Sequence, residues 1–162
     1  MSQLKKRDSL WWGSRILVGY GVALTLIMGL MMVMYSSNPI LPEEEPLFGF
    51  TFAEVQLTNP YLADYIWWVQ MAFSLPGFTY PALFTISLAW YGVRNRQKWA
   101  WFSILVPNLV FWGLFYVGCK SMHPTTYIDH WTIFSSFFVV LLVGLILSAR
   151  QIFSPTNLKK GE

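Results

Sequence analysis

The chain has 162 residues, 55% of them hydrophobic and only 12% charged, and its mean hydropathy is +0.45. A soluble domain carries about 25% charged residues, so this composition excludes an ordinary soluble globule and leaves no room for a separate water-soluble domain. The net charge of +3 is the sum of about +8 and −5 on two segregated sets of flanking segments, which excludes a nucleic-acid-type basic face.

Four runs, residues 16–35, 65–91, 99–119 and 131–149, contain no Asp, Glu, Lys, Arg or His. About 20 helical residues cross a hydrocarbon core of roughly 30 Å, so each run is long enough to span. The expected fold is a single all-α membrane domain over residues 1–162, a four-transmembrane-helix bundle with spans near 13–35, 61–91, 99–119 and 131–150. The first flank holds Lys5, Lys6, Arg7 and Arg15, the loop between spans two and three holds Arg94, Arg96 and Lys98, and the tail holds Arg150, Lys159 and Lys160. Loop 36–64 instead holds Glu43, Glu44, Glu45, Glu54 and Asp64 with no base. By the positive-inside bias both termini are cytoplasmic, and the inner basic patch meets anionic headgroups of membrane lipids. The first run is too long for a cleaved signal peptide and lacks a small-residue cleavage site after Tyr35, so it is expected to remain as a helix.

Trp11 and Trp12 suit headgroup depth at the start of span one. Gly21, Thr25 and Gly29 recur every four residues there, a spacing that lets a neighbouring helix approach closely. In the outer loop 36–60, Asn38-Pro39 and Pro42-Glu-Glu-Glu-Pro46 break any helix. Thr51 and Glu54 have capping-box spacing, which predicts a short interfacial helix over 52–57. The acids Glu43, Glu44 and Glu45 with Phe48, Phe50 and Phe52 form a candidate docking surface for a partner. Asn59-Pro60 reads as the N-cap and first position of the next helix.

Pro76-Gly77 and Pro81 predict a kink in span two, and Pro107 one in span three. A cavity between these two kinked helices would be lined by Gln70, Pro76, Gly77 and Asn108. Asn108 is the most costly polar residue within the spans and should face a helix rather than lipid. In span four, Ser136, Gly144 and Ser148 fall at multiples of four, a second packing stripe. Cys119 is the single cysteine, so neither an internal disulfide nor a C-x-x-C redox pair can form. The loop between spans three and four brings His123, Asp129 and His130 within eight residues, and these are the candidate metal ligands. Aromatic residues cluster at the span ends as an interfacial belt.

The inner loop reads Arg94-Asn-Arg96-Gln-Lys98-Trp99-Ala100-Trp101, with Pro107 six residues later. Together with four spans, an acidic outer loop and a glycine-rich first helix, it resembles a broad group of uncharacterised small four-helix bacterial integral membrane proteins. Their second hairpin often carries R-x-G-x-R/K-W-A-W…P, and this chain has Asn95 where glycine is common. The resemblance implies a fold, and a bacterial cytoplasmic (inner) membrane setting, but no activity. No ionisable residue lies within the runs, which disfavours a pump or an ion path. No G-x-S-x-G, H-E-x-x-H or phosphate-binding glycine loop occurs, and no catalytic residue is assigned. The leading expectation is a non-catalytic accessory or structural subunit of a larger membrane complex, such as an energy-converting one, with other membrane subunits as partners and no cofactor. The alternative is a small membrane enzyme, or a protein binding a lipid, quinone or pigment between spans two and three.

Overall fold

The computed structural model describes residues 8–40, 45, 49–120 and 124–154, with the side chains of 72–75, 78 and 118–134 excepted. Among the described residues every regular element is helical. α1 spans Ser9–Tyr35, α2 Phe52–Thr58, α3 Pro60–Trp68, α4 Leu75–Ser87, α5 Lys98–Lys120 and α6 Pro124–Ile152. Two wider π-helical segments, Val69–Ser74 and Leu88–Gly92, join α3 to α4 and α4 to the turn before α5.

Three helices are long and apolar enough to cross a membrane: Ser9–Tyr35, Lys98–Val117 within α5 and Ser135–Ile152 within α6. The expected span two differs. It is a succession of abutting helical segments from Pro60 to Gly92, none longer than the 13 residues of α4. The prolines explain the division. Each lacks an N–H and presses its ring on the preceding turn, and the first π-helical segment falls in the turn before Pro76.

Local chemistry sets the helix starts. The Asp8 side chain accepts from the Trp11 amide at 2.9 Å and caps α1. Asn59 accepts from the Leu62 amide at 3.1 Å, with Pro60 at the first position of α3. Thr51 and Glu54 close both halves of a capping box, at 3.1 and 2.7 Å, so α2 begins at Phe52.

α1 is the central helix, packed along both α4 and α6. Its contact with α6 is backbone to backbone. A Cβ at Gly13 would lie 2.6 Å from the Ser148 nitrogen and 2.9 Å from the Gly144 carbonyl oxygen. Leu17 fills the matching notch at Gly144. Against α4, a Cβ at Gly21 would lie 2.7 Å from the Ala82 carbonyl oxygen. The stripe stops there: at Gly29 an added Cβ meets nothing within 4 Å, and Ser136 on α6 is exposed. Thr25 is half-buried and donates back to the Gly21 carbonyl, while Ser148 is fully buried and donates to the Gly144 and Leu145 carbonyls. The close approach on α1 therefore runs through Gly13 and Gly21, because only there does a facing backbone come near enough to exclude a side chain.

The side chains divide as a bilayer requires. Leu17, Leu24, Met28, Ile104, Leu141 and Leu145 are buried between helices. Leu26, Leu30, Val33, Val110, Leu114 and Ile146 point outward with large exposed areas. An apolar exterior on this scale is stable only against hydrocarbon.

Most of the described basic residues gather at one end, while Lys120 closes α5 at the other. Arg96 reaches Asp8 at 3.9 Å and the Gln151 side-chain oxygen at 3.3 Å, tying the start of α1 and the end of α6 to the turn before α5. Arg15 lies over Trp11 and Arg94 over Trp90, at 4.0 and 4.9 Å from the ring centroids. Arg96 takes a left-handed conformation, φ 59°, in this turn. At the other end Ile40, Phe52, Val55 and Ala63 form a small separate core, and the Trp67 indole donates to the Ser36 carbonyl at 3.0 Å.

Candidate functional site

Helix α5 meets the expected span two most closely where Gly92 sits against Ala100. Two obligately small residues set that contact. Farther along, α4 and α5 each carry an internal proline, Pro81 and Pro107, and a gap opens between them beside the Thr85–Asn108 hydrogen bond. The gap is a cavity of about 510 Å³, within the usual range for a small-ligand site. Tyr80, Phe84 and Pro107 are exposed at its rim, so it opens sideways between the helices.

Thr85 and Asn108, respectively 1% and 2% exposed, supply its polar floor. Behind them lies a hydrogen-bonded chain across three helices. The Trp112 indole donates to the Tyr20 hydroxyl at 3.3 Å, which donates to Asn108 Oδ1 at 3.1 Å. Asn108 Nδ2 donates to the Ile104 carbonyl at 2.9 Å and to Thr85 Oγ1 at 3.4 Å. Thr85 in turn donates to the Pro81 carbonyl at 2.8 Å. Every donor in this chain is thus occupied, while carbonyl and hydroxyl lone pairs remain. Satisfied in this way, a buried amide costs little and holds the three helices in register.

Among the described residues the wall holds no carboxylate, amine, guanidinium or imidazole. It offers hydrogen bonds and apolar contact to an uncharged guest, and no group that would transfer protons at neutral pH.

The predicted site residues are distributed as follows. Asn108 lines the cavity, whereas Gln70, Pro76 and Gly77 are not among the residues lining it. Of the expected docking surface, Phe50 is partly exposed, but Phe52 is buried at 6% exposure in the small core beside Ile40, Val55 and Ala63. Phe52 opens α2, and its helical position turns it toward that core, so it packs the loop rather than presenting a surface. Glu45 is half-buried, and its carbonyl accepts from the Gly49 amide at 2.9 Å. Glu43, Glu44, Phe48 and His123 lie outside the described residues, as do the side chains of Asp129 and His130. Among the described residues no three of His, Cys, Asp and Glu converge.

Sequence reasoning missed Tyr20, Thr85 and Trp112 as members of the site. One signal was available: tyrosine favours the membrane interface, and Tyr20 stands well inside an apolar run. Compared with protein-family models, curated proteins and solved structures, the chain matches none.

Proposed function

We propose that this is a four-span integral protein of a bacterial cytoplasmic membrane, with both termini in the cytoplasm, and that it binds a membrane amphiphile in the cavity between α4 and α5. The fourth crossing is the helical succession 60–92, whose segments abut without interruption and whose only charged residue is Asp64, near its start. The orientation follows from the gathering of Arg15, Arg94, Arg96 and Lys98 at one end, since basic flanks stay on the cytoplasmic side. The bacterial setting follows the likeness of the inner loop.

The observation that carries the binding reading is the lateral cavity itself, with its two exposed aromatic side chains and its buried Thr85–Asn108 floor. A gap this size in the bilayer does not stay empty. Lipid tails or a dedicated guest fill it, and the polar floor rewards a guest with a polar group. The accessory-subunit expectation rests on spans free of ionisable groups, on the small-residue stripes and on the outer loop, whose Glu43, Glu44 and Phe48 lie outside the described residues.

Native mass spectrometry of the purified protein in a mild detergent tests the reading. We expect a retained adduct of lipid mass at one per chain, lost in Ser103→Phe, whose ring would fill the cavity from its exposed edge. A wild-type protein that flies without any adduct, or an adduct unchanged in Ser103→Phe, would sink it.

A further inference from the structure

We propose that the α4–α5 cavity selects an uncharged amphiphile bearing a hydroxyl group, such as a prenyl alcohol, a quinol or a diacylglycerol, over phospholipids. The proposal rests on the binding reading above and adds the chemistry of the guest. Three observations carry it.

The first is depth. Ser103 and Asn108 lie five and ten residues into α5 from Lys98, about 8 and 15 Å along the axis at 1.5 Å per residue. Lys98 belongs to the basic end, beside the headgroups. A phospholipid keeps its charged head at the interface, so only its tails reach these polar groups. A neutral amphiphile can carry its polar group that far into hydrocarbon.

The second is charge. No cationic side chain among the described residues lines the cavity, so an anionic head brought to that depth would find no counter-charge there.

The third is the balance of donors and acceptors. Pro107 has no N–H, so the Ser103 carbonyl four residues earlier lacks its helical donor. No side chain among the described residues donates to it. Asn108 and Thr85 have spent their donors on Ile104, Pro81 and each other. The Ser103 and Tyr80 hydroxyls on the wall can donate or accept, whereas the Ser103 carbonyl can only accept, so a guest hydroxyl, which does both, is matched better than a guest that only accepts.

Photocrosslinking tests this on the full chain in phosphatidylethanolamine nanodiscs. The probe is a diazirine-bearing C20 prenyl alcohol, and labelled peptides are mapped by mass spectrometry. Three competitors are titrated: geranylgeraniol, its methyl ether, and phosphatidylglycerol. Labelling is expected within residues 80–108, with geranylgeraniol competing roughly three- to tenfold better than the ether, the worth of one net hydrogen bond. In Pro107→Ala the new Ala amide occupies the Ser103 carbonyl. Because the substitution also straightens α5 and narrows the cavity, both competitors should weaken, and the alcohol should lose its advantage over the ether. Equal competition by alcohol and ether in the wild type overturns the hydroxyl selection and leaves the cavity reading standing. Equal competition by phosphatidylglycerol overturns the neutrality. No labelling within 80–108, together with no effect of Ser103→Phe, overturns the binding reading on which the proposal rests.

Discussion

Tyr20→Phe isolates the polar chain that ties α1 to α5. The substitution removes one oxygen and keeps the ring, so the packing of this buried side chain hardly changes. It leaves the Trp112 indole N–H and Asn108 Oδ1 without their partners, at bonds of 3.3 and 3.1 Å. Interhelical hydrogen bonds in membrane proteins contribute on average about 0.6 kcal/mol and at most about 1.7. Two rather long bonds therefore give an expected loss of about 1–2 kcal/mol. The informative quantity is the coupling in a double-mutant cycle with Asn108→Ala, because Asn108→Ala alone also opens space and frees Thr85 and Ile104. Unfolding by sodium dodecyl sulfate from mixed micelles, followed by circular dichroism, measures it without relying on Trp112 fluorescence. A coupling of about 0.5–1.5 kcal/mol is expected. Additivity within about 0.3 kcal/mol would mean that Tyr20 and Asn108 do not hold each other, and the three-helix polar chain would fall.

The glycines separate by what faces them. Gly13→Ala pushes a methyl into the Ser148 and Gly144 backbone at 2.6 and 2.9 Å and should cost about 1–3 kcal/mol in the same unfolding assay, whereas Gly29→Ala meets nothing within 4 Å and should be neutral or gain up to about 1 kcal/mol. Equal losses at the two positions would refute the packing described for α1. Orientation is tested by an impermeant thiol reagent on intact cells in a Cys119→Ala background. Gln56→Cys, exposed on α2, should label from outside, and Gln97→Cys, exposed beside the basic turn, only after permeabilisation; the reverse pattern would invert the topology.

Signals that act over three or four residues were legible in the chain, because their partners are near in sequence. The Thr51–Glu54 capping box and the Asn59-Pro60 helix start depend only on local backbone geometry, and both are present. Small residues at a spacing of four marked α1 as a packing helix, and Gly21 serves that end. Spacing could not tell which glycines of α1 meet a backbone: Gly13, eight residues before Gly21, comes against the Ser148 and Gly144 backbone, and Gly29 meets nothing within 4 Å. The same limit applies to Phe52. Its alternation with Phe48 and Phe50 suggested a surface, but a helix beginning at Phe52 sets that ring in a small core.

Sequence alone determined that this chain lives in a membrane. Apolar runs free of ionisable groups and segregated loop charges are additive properties of the residues, independent of how the helices are arranged. Tertiary structure alone decided where the polar groups inside those runs find partners. Tyr20, Thr85 and Asn108 stand on three different helices, at sequence separations of 88 and 23 residues across their hydrogen bonds. Nothing in their local sequence sets the rotation or register that brings them together. The two prolines announced bends in α4 and α5. Only the tertiary packing, with α4 against α1, α5 against α6, and Gly92 seated on Ala100, turned those bends into a cavity.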